Sequence, residues 1–345
     1  MPLKPNFIER FLISRGKIPG PLIDFALPSF IITALTGASH IDLFQVLDES
    51  EASVDELSEK IGANKRPLQN LLRALKQIGY VEKKNGRWTL TSYTRKAVPV
   101  EEFSEILPFF REQLVRTVQK VDQALMETPE EGVIGWEPLK GGEFGRSYQS
   151  AMRWLARQSV EEVTKKVELP EGVTRMIDVG GSHGLYCVEI CRKYPELQGT
   201  VMDWPIGIEA AEETLEQESD VAGRIETLEG NFFEDELPGG YDYAFLGNII
   251  HSNSPDQNRY LLMKLADATT EQGSVGILDQ FDNVSGSGFN QSVAALIGWN
   301  LFLFVNGRSY AVEEVEEWLK ETGFGNVEVK PLKKSPGFTL LTASK

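Results

Sequence analysis

Residues Met176-Ile-Asp-Val-Gly-Gly-Ser-His-Gly-Leu-Tyr-Cys-Val-Glu-Ile190 constrain the fold more than any other part of this chain. An apolar run ends in an acid, a glycine-rich turn follows, and an amphipathic segment begins. That order reads as strand, tight loop and helix start, the place where a doubly wound sheet opens to a ligand. Gly180, Gly181 and Gly184 carry no Cβ, so backbone N–H groups there can approach a ligand closely. The helix N-terminus behind them favours an anionic group such as a carboxylate or phosphate. The loop lacks the dinucleotide fingerprint G-x-G-x-x-G: counted from Gly180 the third position is Ser182, and counted from Gly181 it is His183. Structural turns use the same residues, so the loop alone does not name a ligand.

The segments downstream supply the rest of a sheet. Thr200-Val-Met-Asp203 reads as a second strand ending in an acid. Asp203 lies one βαβ half-unit after Asp178, where a carboxylate can accept hydrogen bonds from ribose hydroxyls. A third strand around Ile225–Leu228 leads into Gly230-Asn-Phe-Phe233. A fourth begins at Tyr241, and its C-terminal loop carries Asn248 and His251. Val275-Gly-Ile-Leu-Asp279 gives a fifth. Strands alternating with helical patterns imply an α/β Rossmann-like domain, a mostly parallel, doubly wound sheet with helices on both faces. Ligands of such sheets bind beyond the carboxyl ends of the strands, and Asp178, Asp203, Asn231, His251 and Asp279 all fall there.

Ahead of this domain the pattern changes. Ser53 with Glu56 three residues on is a capping box opening a helix to Ile61. Gly62-Ala-Asn64 is a turn, and Lys65–Ile78 places Leu68, Leu71, Leu72, Leu75 and Ile78 on one helical face. Val81 to Thr91 reads as a hairpin around Asn85-Gly86. Helix, turn, helix and hairpin make a winged helix. Lys65, Arg66, Arg73, Lys76, Lys83, Lys84 and Arg87 would suit DNA phosphates. The preceding segment Asp24–Leu47 is too apolar for one small unit to bury, so a homodimer partner is the stronger expectation.

Charge is uneven along the chain. Residues 1–100 carry 14 Lys+Arg against 10 Asp+Glu, and the remainder carries 21 against 41. An acidic C-terminal part argues against nucleic acid as substrate. No apolar run reaches membrane-spanning length, and Met1–Pro21 lacks a signal-peptide core, so no membrane association is expected. Two cysteines, Cys187 and Cys191, give no disulfide framework and suit a cytoplasmic setting. With His183 they share one helical face; burial explains that spacing better than a metal, and no metal is expected.

The D-x-G-G-x-x-G loop resembles the first motif of class I S-adenosylmethionine (SAM)-dependent methyltransferases. The ordered set of apolar start, Ile41-Asp-Leu-Phe44, winged helix, Asp178–Gly184, Asp203, Gly230–Phe233, His251 and Thr322-Gly-Phe324 resembles the small-molecule O-methyltransferases, which include plant caffeic acid and hydroxyindole enzymes. The resemblance spans nearly the whole chain. It implies a winged-helix dimerisation domain over 1–100, a helical connector over 101–169 and a SAM-binding domain over 170–345. It implies SAM as cofactor, held by Asp178, Gly180, Gly181, Ser182, Gly184, Asp203, Trp204, Asn231, Phe232 and Asn248. It makes His251 the base that takes the acceptor's proton, oriented by Asp279. An imidazole with an ordinary pKa near 6.5 can do this near neutral pH.

Trp136, Phe144 and Met152 in the connector, and Trp299, Asn300 and Phe304 in the apolar segment Phe289–Asn306, are candidates to line the pocket of a small-molecule acceptor. Aromatics at helical spacing also serve as plain core.

The departures from the family pattern are specific. His251-Ser252-Asn253 stands where His-Asp-Trp is usual. Ser182 and His183 replace a Gly and a Thr of the loop, and Asn231 replaces an acid that contacts adenine. A second acid that steers the base would fall near Arg308-Ser309, where none stands. These departures leave open C- or N-methylation and a SAM-bound catalyst that transfers no methyl; the basic winged helix leaves open a SAM-sensing DNA-binding regulator.

Overall fold

The computed structural model describes residues 6–15, 17, 20–97, 100–127, 132–282, 288–335 and 337–345. Phe25, within the apolar segment Asp24–Leu47, and Phe289 lie outside the residues whose side chains are described. The chain separates into two units, Met1–Arg111 and Glu112–Lys345.

The first unit begins with α1 (Phe7–Ser14), α2 (Gly20–His40) and α3 (Leu43–Glu49). The helices α4 (Val54–Ile61) and α5 (Lys65–Gln77) then lead to the hairpin β1 (Val81–Lys84) and β2 (Arg87–Leu90), followed by α6 (Ser92–Ala97). Local chemistry sets these elements. The Ser53 hydroxyl accepts from Glu56 N–H and the Glu56 carboxylate accepts from Ser53 N–H, closing the capping box at the start of α4. Asn85 and Gly86 both have positive φ, as a two-residue hairpin turn requires. Leu43, Phe44, Leu47, Leu57, Leu68, Leu72 and Leu75 fill the core of the unit. Several of the basic side chains that would suit DNA are already paired: Lys65 with Asp55, Arg87 with Glu56 and Lys84 with Glu82.

The helix α7 (Val100–Glu127) spans residue 111, where the two units divide. In the second unit a 3-10 turn at Glu137–Leu139 precedes α8 (Gly142–Lys166). Next come β3 (Arg175–Val179), α9 (Leu185–Lys193), β4 (Gln198–Asp203), α10 (Pro205–Gln217), β5 (Ile225–Glu229) and β6 (Tyr241–Gly247). The remaining elements are α11 (Pro255–Ala268), β7 (Thr269–Gln280), α12 (Gly288–Val305), α13 (Val312–Glu321), β8 (Gly325–Pro331) and β9 (Phe338–Ser344).

The seven strands form one sheet in the order β5-β4-β3-β6-β7-β9-β8. Strands β3 to β7 pair in parallel, and β9 joins β7 antiparallel, with β8 on the edge. Two cores flank it. One packs α11 and α13 residues such as Leu261, Leu265 and Trp318 against Ile177, Leu246 and Ile277. The other packs α8 and α9 residues such as Val163, Cys187 and Val188 against Met176, Phe245 and Leu278. Central strands covered on both faces are apolar along their length, and Met176–Val179 are all buried. Strand order reverses between β3 and β6, so the loops after these neighbouring strands diverge and leave a crevice. The Asp178–Gly184 loop and His251 follow those two strands.

The sequence expectation differs in two places. The fifth strand begins at Thr269 rather than Val275, because α11 ends at Ala268 and the chain turns directly into the sheet. The pair β8 and β9 was not read from sequence at all.

Candidate active site

The loop after β3 is fixed from three sides. Gly180 N–H and Gly181 N–H donate to Met202 O at 2.8 and 3.2 Å, tying the loop to β4. A Cβ on Gly181 would lie 2.8 Å from Asp178 Cγ and 2.9 Å from Val201 Cγ1, so only glycine lets the backbone close over the Asp178 carboxyl. At Gly180 a Cβ would meet Ile249 Cδ1 at 2.4 Å and Phe232 Cε1 at 3.5 Å, which brings the ends of β5 and β6 against the same turn.

Ser182, where the family has glycine, sits at φ 48°, in the left-handed region that a side chain strains. Two contacts hold it there. Its N–H donates to Asp203 Oδ2 at 2.7 Å, and its hydroxyl donates to Gln149 of α8. His183, where the family has threonine, uses Nδ1 to accept from Leu185 N–H at 3.1 Å, satisfying a donor of the first turn of α9. Burial, then Arg153 and Arg157, pull its pKa down to about 3, so the ring is neutral. Cys187 and Cys191 are buried free thiols packed at Gly199. Among the described residues no group of three or more His, Cys, Asp or Glu side chains is placed to hold a metal.

Two carboxylates sit beneath the loop. Asp178 is 1% exposed, and neither of its oxygens closes a hydrogen bond among the described residues. Burial, then the Asp203 charge, push it up to about 7, against a weaker pull from the Cys187 N–H. Asp203 accepts from Ser182 N–H and from Trp204 N–H at 2.7 Å each. Burial nevertheless holds it up at about 6. Each Asp203 oxygen keeps a lone pair, as ribose recognition needs. The residues therefore fit the cofactor that the resemblance implies. The glycine cradle would be filled by any Cβ, and the carboxyl behind it lacks a partner that the ammonium of an amino-acid end would supply.

Further along the strand ends, Asn231 Oδ1 accepts from Phe233 N–H at 3.0 Å, leaving one lone pair for an adenine amine. Phe232 packs on Phe233 with ring centroids 4.6 Å apart. Asn248 has φ 61°, which asparagine tolerates, and its N–H donates to Leu278 O at 2.8 Å. Trp204 meets Trp136 edge-on at 5.7 Å, so Trp136, expected on the acceptor side, lies against a candidate cofactor residue.

At the ends of β6 and β7, His251 Nδ1 lies 2.6 Å from Asp279 Oδ1, and His251 N–H donates to Asp279 Oδ2 at 3.2 Å. Asp279 is fully buried and also accepts from Gln280 N–H. A carboxylate accepts only, so Nδ1 carries the proton and the Nε2 lone pair is free to take one. The turn Ile250–Ser252 is braced from behind. Asn258 Nδ2 donates to Ile250 O at 2.9 Å, and Asn253 Nδ2 donates to Asn258 Oδ1 at 3.1 Å. That brace accounts for Asn253 where the family has tryptophan. Arg308 N–H donates to His251 O at 2.8 Å, while its guanidinium pairs with Glu314. At the position where the family resemblance puts a second acid, the chain contacts His251 through this backbone bond.

The acceptor-side candidates divide. Phe304 is buried and faces Tyr148, with centroids 6.3 Å apart. Phe144 is half-buried beneath the Arg116 guanidinium, 5.3 Å from its centroid, and Met152 is half-buried. Asn300 Oδ1 accepts from Gln113 Nε2 at 2.7 Å. Trp299 is 41% exposed and stacks on Phe302 instead. Gln113 and Gln149 are functional candidates the sequence reading missed. Each is a buried amide whose partner lies on another element, a signal visible only in three dimensions.

Comparison with known proteins adds independent findings. The O-methyltransferase domain family matches residues 136–325. The chain is 30% identical over 320 residues to a 3-hydroxy-5-methyl-1-naphthoate 3-O-methyltransferase of Streptomyces sahachiroi, covering 90% of each. It is 23% identical to the tetracenomycin polyketide synthesis 8-O-methyl transferase TcmO of Streptomyces glaucescens, covering 90% of this chain and 92% of that one. The human N-acetylserotonin methyltransferase, solved with SAM, superposes with a TM-score of 0.79 at 18% identity, covering 100% of this chain and 99% of that one.

Proposed function

Because this chain belongs to the O-methyltransferase domain family and is a SAM-dependent O-methyltransferase, we propose that it methylates a hydroxyl of an aromatic or polyketide-like small molecule, with His251 as general base. The observation that carries the reading is the His251–Asp279 contact at 2.6 Å, on the strand next to the glycine cradle. Asp279 keeps the Nδ1–H tautomer, and Nε2 takes the acceptor's proton as the oxygen becomes a nucleophile. When bound, SAM supplies an electrophilic sulfonium methyl. Asp178 would face its amino-acid end, Asp203 its ribose and Asn231 its adenine. Phe304, Phe144, Met152 and Asn300 would enclose the acceptor, and the apolar walls would keep water from the transfer.

The same reading makes the protein a homodimer through its N-terminal region. Phe7 on α1 is 85% exposed and Phe30 on α2 is 64% exposed, more apolar surface than a lone chain leaves in water without use. Buried free thiols at Cys187 and Cys191 suit a reducing cytoplasm. No single helix among the described residues is long and apolar enough to cross a membrane. The test is methyl transfer from labelled SAM to a panel of hydroxylated naphthoates and related aromatics, with product mass and the position of the new methyl determined. A methyl on carbon or nitrogen, or no transfer by protein that binds SAM, would overturn the reading. Sedimentation at the assay concentration must also give twice the chain mass.

A further inference from the structure

Gly145, Gln149 and Arg153 recur every four residues along α8 and so share one face of it. That face meets α10 and the loop after β3. A Cβ on Gly145 would lie 2.7 Å from Ile206 Cδ1, so only glycine lets α8 approach the first turn of α10 this closely. Two turns on, Arg153 pairs with Glu213 of α10 at 3.4 Å. Between these anchors Gln149, 6% exposed, accepts from the Ser182 hydroxyl. The helix is held on both sides of Gln149, so the amide meets Ser182 from a fixed frame.

Ser182 passes that constraint to Asp203. Its backbone sits at φ 48°, a conformation a serine keeps only where surrounding contacts over-determine it. In that conformation its N–H donates to Asp203 Oδ2 at 2.7 Å, while Trp204 N–H donates to Oδ1. Gly207 of α10 closes the other side of the carboxyl, since a Cβ there would lie 2.5 Å from Asp203 Cγ. A Ser182 released to negative φ would carry its N–H away and leave Asp203 with one of its two backbone donors.

Resting on the assignment of Asp203 to the cofactor's ribose, we propose that Gln149 is a positioning residue for SAM. Its bond to Ser182 opposes the strain of a side chain at this loop position and keeps Asp203 aimed at the ribose. The amide matters because residue 182 carries a side chain. A glycine there would adopt positive φ without strain and would not need the bond.

The experiment is a cycle of variants titrated with S-adenosylhomocysteine by calorimetry. Gln149→Leu keeps the bulk, removes the acceptor and should weaken binding by about tenfold. Ser182→Ala keeps the strained Cβ, loses the hydroxyl and should weaken binding by a similar factor. Because both break one contact, adding Gln149→Leu to Ser182→Ala should cost less than about twofold more. In the Ser182→Gly background, Gln149→Leu should likewise cost less than about twofold. A structural role of Gln149 in α8 alone would give the full loss in every background, and that result overturns the proposal. Unchanged affinity in both single variants overturns it as well. Should Gln149→Leu fail to fold, the comparison at residue 182 decides: Ser182→Ala must bind at least about fivefold more weakly than Ser182→Gly, and equal binding refutes the strain argument. Asp203→Ala separates the two readings. It should weaken binding at least as much as Gln149→Leu; if it binds as the parent does, the ribose assignment fails and the proposal with it. If Asp203→Ala binds weakly while Gln149→Leu binds as the parent does, the proposal alone fails.

Discussion

At the ends of β3 and β4 two carboxyls, Asp178 and Asp203, lie packed without a salt bridge to either among the described residues. At the ends of β6 and β7 the buried carboxyl Asp279 lies against an imidazole and two backbone N–H groups. The first cluster is electrostatically incomplete. Burial raises both of its acids: Asp178 closes no hydrogen bond among the described residues, and the two N–H bonds to Asp203 repay only part of the desolvation of its charge. The second is satisfied from within, its lone free valence being His251 Nε2. A region built to receive a cationic ligand leaves charge unbalanced until the ligand arrives. A region built to move one proton arranges its own partners beforehand.

The largest effect should come from breaking the satisfied end. His251→Ala removes the proton acceptor and should lower kcat by about 10²–10⁴ with SAM affinity unchanged, read by turnover and by calorimetry. Asp279→Asn should lower kcat by about 10–100-fold, since an amide no longer fixes the Nδ1–H tautomer. Loss of SAM binding in either variant would mean that the two ends are not independent. At the other end, Gly181→Ala forces a Cβ against Asp178 and Val201. It should weaken SAM by about tenfold or more while the methyl-transfer step of bound protein changes little, measured by binding and by single turnover. Unaltered affinity would remove the cradle from the argument.

The smallest effect is on pH-dependent stability. Asp178, at about 7 when folded, lies above its ordinary 3.8. Between those values the folded chain holds a proton the unfolded chain has lost, so this group makes stability fall as pH rises. His183 acts oppositely. Its folded value of about 3 lies below 6.5, so its contribution is present at neutral pH and lost as pH falls below 6.5. Asp178→Asn deletes the first slope and keeps the second. The thermal midpoint of the variant minus that of the parent, both without cofactor, should rise between pH 5 and about 7 and level off above about 8. A difference constant with pH would mean that Asp178 is ionised throughout.

Much of the incomplete end could be read from the chain, because its parts are local. Asp178, Gly180 and Gly181 lie within four residues, and Asp203 follows at the end of the next strand. His251 and Asp279 were each legible at strand ends, but only the resemblance to the O-methyltransferases joined them as a pair. The chain by itself could not give Gln149 holding Ser182 in a left-handed conformation, nor His183 serving as a helix cap where threonine is usual. The edge strand β8 escaped because it alternates around charged and exposed residues and is defined mainly by its pairing with β9.

The sequence by itself determined the order of the strands along the chain, the loop that must stay free of Cβ atoms, and the acids and histidine at the strand ends. These follow from local periodicity, turn chemistry and hydrogen-bonding capacity. Only the tertiary structure decided which of those groups are satisfied. It set Gln113 on Asn300, turned Trp299 outward and closed the His251–Asp279 contact. Satisfaction depends on distances between segments far apart in the chain, and packing alone fixes those.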